Sequence, residues 1–185
     1  VCMTDYAELA VTTNFSFLRG ASHPAELVAQ AKVLGLSAIG VADRNTLAGV
    51  VRAHTAAKEA DLRLLVGSRL VPEDGPEILC YPENRAAYGR LSRLLSVGKI
   101  RAEKGECHIR LLDIEAYGEE QVFVFMPPSR LDQFFEETLQ RFADLFPGAV
   151  YLGAVYEHLG QARERIASLA ELSARTGTGL LALGD

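Results

Sequence analysis

Short apolar segments alternate along this chain with segments of helical periodicity, and this alternation limits the folds available to it. The apolar segments lack a polar residue at every second position, so we expect strands that are buried on both faces. Such strands are predicted at residues 9–11, 38–42, 62–70, 78–81, 122–125, 149–155 and 179–183. Helices between strands imply parallel pairing, in either a doubly wound sheet or a barrel. The sequence therefore predicts an α/β protein.

The helical segments carry start and stop residues. Ser22 is expected to cap a helix that has Pro24 in its first turn and ends near Gly35. Ser129 is expected to cap another helix that continues to Phe146. Further helices are predicted at residues 47–60, 84–97, 111–117 and 161–175, with a polar loop at residues 98–110.

The composition is that of a globular protein: 49% of the 185 residues are hydrophobic, and the formal net charge is −5. This composition excludes a disordered chain, and the length suits one domain. No apolar segment reaches the roughly 18 residues of a membrane span. Three scattered cysteines favour reduced thiols, and hence a cytoplasmic protein. The net acidity argues against a dedicated nucleic-acid-binding protein.

Candidate functional residues are sought at the carboxyl ends of the strands, where parallel α/β folds gather their sites. Asp43 follows the second predicted strand directly and is the strongest single candidate. Its carboxylate either serves a site or caps the turn of residues 43–46, and both interpretations are open. Thr12, Thr13 and Asn14 follow the first strand in the same way.

The four histidines are isolated from one another in the sequence, which is a poor pattern for a zinc site. Structural positions are favoured for His23, beside a proline, and for His54, within a helix. His108 lies in the polar loop and His158 lies just beyond a predicted strand. These two are weak candidates for metal ligands.

A basic segment precedes an acidic one in the middle of the chain. Basic side chains can contact the phosphate backbone of a nucleic acid without recognising its base sequence. The alternative is an ordinary solvated helix face. The basic residues are Arg85, Arg90, Arg93, Lys99, Arg101 and Lys104, and the acidic segment covers residues 113–144.

Several separated motifs together resemble the PHP (polymerase and histidinol phosphatase) domain. They are NFSFLRGAS at 14–22, AIGVADRNTLAG at 38–49, VGSR at 66–69, AYGRLSRLL at 87–95, KGECH at 104–108 and LALGD at 181–185. The likeness is greatest to the N-terminal PHP domain of bacterial C-family DNA polymerases, in particular the error-prone, damage-inducible paralogue of the DNA polymerase III alpha subunit. It implies a distorted seven-stranded β/α barrel. It also implies that residues 1–185 are a PHP-like domain truncated from a longer polymerase, because the family continues beyond the last motif.

Active PHP domains bind two or three metal ions through His, Asp and Glu and hydrolyse phosphoesters. This sequence departs from their ligand pattern, since residues 10–12 are Ala-Val-Thr where the family has His-x-His. Three further positions of the family's site are occupied by Arg19, Arg44 and Arg69. A guanidinium group does not deprotonate and therefore does not ligate a metal.

Of the matched ligand positions, only Asp43 and Asp185 keep a carboxylate. With His108 and His158, they are the weak candidates for a retained zinc or manganese site. We expect instead that the three arginines replace the charge of the metal and pair with Asp43, Asp185 and Glu8. A variant of this hypothesis is that the arginines hold an anion such as phosphate.

The resemblance implies three functional interpretations. The first is a non-catalytic domain of an error-prone, translesion DNA polymerase that supports downstream polymerase modules of the same chain. In that case the fragment needs no catalytic residue and no cofactor, and it meets DNA through the parent nucleotidyltransferase in replication and repair after DNA damage. The second is a metal-dependent phosphoesterase or 3'-5' exonuclease, which the loss of the His pair disfavours. The third is a regulatory protein that binds phosphorylated ligands.

Overall fold

The computed structural model describes residues 6–156, 160 and 162–184, and the chain divides into two compact units. The first unit comprises Val1–Arg69 and Gly184–Asp185, and the second comprises Leu70–Leu183. All seven predicted strands are found within a few residues of their expected bounds. None of the helices in the described ranges is long and apolar enough to cross a membrane.

The described part of the first unit is built from three parallel strands and two helices. Strand β1 pairs with β2, and β2 pairs with β3, both in parallel. In order, the elements are β1 (Ala7–Val11), α1 (Pro24–Val33), β2 (Ala38–Arg44), α2 (Val50–Glu59) and β3 (Arg63–Leu70). The register sets Asp43 beside Ser68, so the carboxyl ends of β2 and β3 lie side by side.

An apolar cluster between these helices and strands holds the first unit together. Val28 and Ala31 of α1 pack there with Ile39 of β2 and Ala57 of α2. The first six residues of β2 are all buried, and the sixth of them is Asp43. A strand whose first five residues are apolar therefore brings one carboxylate into the interior near its carboxyl end.

The described part of the second unit contains four strands and four helices. Its elements are β4 (Ile78–Pro82), α3 (Arg85–Ile100), α4 (Leu111–Ala116), β5 (Gln121–Phe125), α5 (Gln133–Leu145), β6 (Val150–Val155), α6 (Ala162–Thr176) and β7 (Gly179–Leu183). Strands β5, β6 and β7 pair in parallel, as expected. The pairing of β4 with β5 is antiparallel, and the expectation of parallel strands was wrong there. The segment between β4 and β5 contains two helices. It therefore differs from the single-helix crossover that usually joins two parallel strands.

Aromatic side chains fill the core of the second unit. The rings of Phe123 and Phe125 on β5 pack edge-on against Phe142 of α5, with centroids 5.5 and 5.1 Å apart. All three side chains are fully buried. Edge-to-face packing adds to the free energy gained by removing these rings from water.

Two helices begin at residues other than those predicted. Helix α1 starts after His23, whose backbone amide donates to Glu26 Oε2 at 2.8 Å, so Ser22 is not its cap. Helix α5 starts after Asp132, whose Oδ1 accepts from the amide of Phe135 at 2.8 Å. The segment from Ser129 to Asp132 is therefore outside the helix that it was expected to begin.

Candidate functional site

The carboxylate of Asp43 lies at the carboxyl end of β2 and is almost completely buried, with 1% of its surface exposed. Oδ1 accepts hydrogen bonds from the backbone amide of Thr13 at 2.8 Å and from the hydroxyl of Ser16 at 2.6 Å. Oδ2 accepts from the hydroxyl of Thr13 at 2.8 Å. Both oxygens are thus engaged by donors from the segment that follows β1.

The segment after β1 is folded tightly over this carboxylate. The amide of Ser16 donates to the carbonyl of Thr13 at 3.0 Å, and the amide of Asn14 donates to the carbonyl of Ser22 at 3.0 Å. The second bond closes the base of residues 14–22, which we call the 14–22 loop. The hydroxyl of Ser16 also accepts from the amide of Arg44 at 2.9 Å. The loop is therefore attached to β2 through both a side chain and the backbone.

Close packing at Gly49, just before α2, leaves no room beside the carboxylate. A Cβ atom there would lie 2.7 Å from Asp43 Oδ2, 3.0 Å from Thr13 Oγ1 and 3.2 Å from a ring carbon of Phe15. The guanidinium of Arg52 lies over the Phe15 ring, 5.4 Å from its centroid. The site around Asp43 is thus a filled, hydrogen-bonded junction rather than a cavity.

The three predicted arginines all belong to the first unit but differ in burial. Arg19 is exposed in the 14–22 loop, whereas Arg44 and Arg69 are half-buried. The register pairs Arg44 with Arg69 at the adjacent ends of β2 and β3, where Asn45 donates its amide to the carbonyl of Arg69 at 2.9 Å. Two guanidinium-bearing residues thus occupy neighbouring strand ends. Their expected ion pairs with Asp43, Asp185 and Glu8 stay a prediction.

Glu8 lies on β1 and accepts two hydrogen bonds from residues close to it in the sequence. Oε2 accepts from the hydroxyl of Tyr6 at 2.7 Å, and Oε1 accepts from the amide of Ala10 at 2.9 Å. Partial burial and the bond to Glu8 raise the pKa of Tyr6 to about 12. Glu8 is therefore placed as a local acceptor at the start of the first unit.

The described residues do not fit a metal centre. Within them, no group of three His, Cys, Asp or Glu side chains is placed to hold an ion. The donor chemistry at Asp43 agrees, because a metal would have to displace the Thr13 and Ser16 donors from its oxygens. Two of the candidate ligands, His158 and Asp185, lie outside the described residues.

His108 belongs to the second unit and lies between two carboxylates on its surface. Nδ1 forms a short contact with Glu73 Oε1, and Nε2 lies 3.4 Å from Glu106 Oε2. The bond to Glu73, aided by the charge of both carboxylates, raises the pKa of His108 above its ordinary value. Arg110 Nε lies 3.7 Å from the other oxygen of Glu73. These contacts form an exposed ion-pair cluster.

The predicted basic residues fall into two groups. Arg90 is held by Glu120 at 2.5 Å and by the backbone carbonyl of Glu119 at 2.9 Å, and Arg101 is held by Asp113 at 2.6 Å. The other four, Arg85, Arg93, Lys99 and Lys104, are exposed. Arg90 and Arg101 pair with carboxylates of the acidic segment that follows in the sequence. A contact between the basic residues and phosphate stays a prediction.

Sequence reasoning missed the roles of Thr13 and Ser16. Both are completely buried although their side chains are polar. Thr13 was named among the residues that follow the first strand, but its contact with Asp43 was not foreseen. For Ser16 the available signal was its position in the next turn. Hydroxyl side chains at a strand end are natural donors to a carboxylate on the neighbouring strand.

Comparison with known proteins extends these observations. The PHP domain model matches residues 8–179. The chain is 50% identical over 181 residues to the error-prone DNA polymerase of Caulobacter vibrioides, an alignment that covers 97% of this chain and 17% of that protein. It is 52% identical over 174 residues to the error-prone DNA polymerase of Rhodopseudomonas palustris strain BisB5, covering 91% and 16%. The chain thus spans about a sixth of the length of these relatives.

Two solved structures share the fold at low sequence identity. A putative metal-dependent phosphoesterase from Bifidobacterium adolescentis matches with a TM-score of 0.70 at 19% identity, over 97% of this chain and 86% of that one. An amidohydrolase from Chromobacterium violaceum, with bound sulfate and no metal, matches with a TM-score of 0.64 at 16% identity over the same shares. The expected seven-stranded α/β fold of PHP type is confirmed, as is the resemblance to error-prone polymerases. The chain belongs to the PHP domain family.

Proposed function

We propose that this chain is a non-catalytic PHP domain of an error-prone DNA polymerase and that it serves as a structural support for the polymerase modules of the same protein. Identity of about half to two such polymerases supports the parent function. Nucleotidyl transfer and DNA binding then belong to the parts of the relatives that this chain does not match. DNA is a partner of the domain through the parent polymerase.

The observation that carries the non-catalytic role is the hydrogen bonding of Asp43. Its two oxygens accept three bonds from Thr13 and Ser16, and all three residues are buried. A divalent ion at this carboxylate would leave buried hydroxyl and amide donors without acceptors. Each unsatisfied buried group costs roughly 1–3 kcal/mol. The loop and the metal therefore compete for the same carboxylate oxygens.

The arginines supply a second argument. Arg44 and Arg69 stand beside each other at the ends of β2 and β3, where the family's pattern has metal ligands. Each brings a permanent positive charge, which repels a metal cation. We propose that these guanidinium groups take over the electrostatic role of the ions, with Asp43 and Asp185 as counter-charges. An anion held by the arginines is the alternative arrangement, and the sulfate in the amidohydrolase of the same fold makes it worth testing.

Metal titration and hydrolysis test the non-catalytic role together. We expect the chain to bind fewer than two manganese or zinc ions and to show no chelator-sensitive hydrolysis of bis(p-nitrophenyl) phosphate. Asp43→Ala and the surface control Glu59→Ala should then give the same background rate. Stoichiometric binding of two or more ions, with hydrolysis that Asp43→Ala abolishes, would establish a metal-dependent phosphoesterase or exonuclease instead. Bound phosphate that Arg44→Ala and Arg69→Ala release would favour the anion arrangement.

The supporting role is tested in the full-length polymerase. We expect Asp43→Ala to leave primer extension unchanged at low temperature and to lower the temperature at which extension is lost. The reason is that the substitution weakens the fold of the domain without touching the polymerase chemistry. Reduced extension at every temperature, with an unchanged unfolding temperature, would indicate a direct catalytic role for Asp43 and contradict the proposal.

A further inference from the structure

The tip of the 14–22 loop exposes two large apolar side chains. Phe17 is 86% and Leu18 is 87% exposed, although the neighbouring Ser16 is completely buried. We infer that Phe17 and Leu18, here called the apolar tip, insert into an apolar pocket on another module of the same polymerase chain. This inference rests on the proposed function and names the contact through which the support acts.

The loop is built to hold the tip in one conformation. Hydrogen bonds from Thr13 and Ser16 to Asp43 fix one side of it, and the bond from Asn14 to Ser22 closes its base. On the other side, the amides of Arg19 and Gly20 donate to the carbonyl of Ser16 at 2.9 and 3.1 Å. A Cβ at Gly20 would collide with the carbonyl of Thr13. A loop fixed in this way loses little further conformational entropy when it binds.

The backbone of Leu18, at the apolar tip, is strained, and its side chain is exposed. Leu18 has φ of 61°, in the left-handed region that is sterically unfavourable for a leucine. The leucine side chain recovers none of this cost within its own unit, because it extends into solvent. Burial against a partner would remove both side chains from water, which is favourable.

The chemistry of the tip favours a protein partner over a nucleic acid. Single-stranded DNA stacks its bases on aromatic side chains, and only Phe17 of the two has an aromatic face, whereas an apolar pocket buries both Phe17 and Leu18. Exposed Arg19 follows the tip directly, and Arg52 lies over the adjacent Phe15 ring. The complementary surface is therefore an apolar pocket with a carboxylate at its rim.

The size of the tip favours a partner in the same chain. A stable complex between separate proteins normally buries about 1,200–2,000 Å², far more than two side chains provide. Within one chain the second module is present at high effective concentration, so a small contact suffices. The polymerase relatives supply such modules, since this chain matches only 17% of the length of the Caulobacter protein.

Hydroxyl-radical footprinting of the wild-type full-length polymerase tests the inference without any substitution. Leu18 is compared with Leu34, an equally reactive side chain at the end of α1 that is 61% exposed. Each oxidation rate is divided by the rate of the same residue in urea. If the apolar tip is exposed to solvent in the full-length polymerase, Leu18 should oxidise at least as fast as Leu34. We expect the opposite order, with Leu18 protected by roughly tenfold relative to the unfolded chain.

Controls in the same experiment identify what covers the apolar tip. Protection of Leu18 must be present without DNA and must not change on dilution of the polymerase. Leu18 oxidised as fast as Leu34, protection that requires added DNA, or protection lost on dilution would each overturn the inference. Replacing Phe17 with the photo-crosslinker p-benzoylphenylalanine should give crosslinks to peptides of the same polymerase that lie outside the 185 residues of this chain. The same replacement at Val33 should not.

The proposed non-catalytic role and the inferred contact of the apolar tip can be contradicted independently of each other. Chelator-sensitive hydrolysis would contradict the non-catalytic role and would leave the protection of Leu18 in place. An unprotected tip would contradict only the inferred contact, because it bears on neither the metal content nor the hydrolysis rate.

Discussion

Asp43 accepts hydrogen bonds from Thr13 through both of its carboxylate oxygens, from the backbone amide at Oδ1 and from the hydroxyl at Oδ2, each at 2.8 Å. One residue of the segment after β1 therefore satisfies the carboxylate from two sides. The arrangement couples the end of β2 to the 14–22 loop. This supports the proposed structural role for a carboxylate that, by resemblance to active PHP domains, would be expected to ligate a metal.

Removal of the Asp43 side chain should destabilise the chain strongly. Asp43→Ala leaves the Thr13 amide, the Thr13 hydroxyl and the Ser16 hydroxyl without their acceptor, and all of these groups are buried. At roughly 1–3 kcal/mol for each buried group, we expect the free energy of unfolding to fall by at least about 3 kcal/mol. Urea unfolding followed by circular dichroism measures it. Glu59→Ala is the control, and a loss no larger than in that variant would contradict the role of Asp43.

Substitution of two glycines should shift stability in opposite directions. Gly49→Ala places a methyl group 2.7 Å from Asp43 Oδ2 and should be destabilising, since the buried junction has no room to relax. Gly89 lies within α3, and a Cβ there has no neighbour within 4 Å. Gly89→Ala should therefore raise the free energy of unfolding by about 0.5–1 kcal/mol. Changes of the same sign in urea unfolding would show that Gly49 is not packed against the carboxylate.

The elements of the fold were predictable from sequence because the strand segments are rich in apolar residues and the helical segments have a recognisable period. The expected burial on both faces was wrong for β7, in which Leu183 alone is buried. Strand β7 was predicted at its observed bounds, Gly179–Leu183. The antiparallel pairing of β4 with β5 was not predictable in this way, because strand direction depends on the path of the intervening chain rather than on the strand's own residues. Helix α5 shows a similar limit, since Asp132 took the capping position expected of Ser129.

The position of Asp43 at the carboxyl end of β2 was predictable from sequence, but its hydrogen-bond partners were not. Asp43 was identified as the strongest candidate, with a structural alternative in which it caps its own turn. The structure shows that the carboxylate organises a different turn, 30 residues earlier in the sequence at Thr13. Partners so distant along the chain are set by the register of β1 against β2, which only the folded protein reveals. The same applies to Ser16, whose burial is invisible in its local sequence.

The ion-pair cluster around His108 should make stability depend on pH. Hydrogen bonding to Glu73, helped by the charges of Glu73 and Glu106, raises the pKa of His108 above its ordinary value of 6.5, while Arg110 competes for Glu73. A raised pKa in the folded state means that the protonated histidine stabilises the fold. Its contribution is complete below about pH 6.5 and is lost as the pH rises through the folded-state pKa.

His108→Gln should remove this part of the pH dependence. We expect the difference in free energy of unfolding between wild type and His108→Gln to be largest at the acidic end of the range and to shrink as the pH rises above 6.5. Urea unfolding at a series of pH values measures it. His54→Gln, in α2, is the matched control and should not alter the slope. A difference that is independent of pH would show that the contacts of His108 do not depend on its charge.

Relief of backbone strain at Leu18 should stabilise this chain. The φ of 61° at Leu18 lies in the left-handed region, which asparagine tolerates better than leucine. Leu18→Asn should therefore raise the free energy of unfolding by up to about 1 kcal/mol, because the exposed leucine makes little contribution to the core. Phe17→Asn is the control, since Phe17 is equally exposed but is not among the residues with positive φ. Thermal and urea unfolding of both variants measure the difference. If Leu18→Asn is no more stable than Phe17→Asn relative to wild type, the strain at the apolar tip is not real.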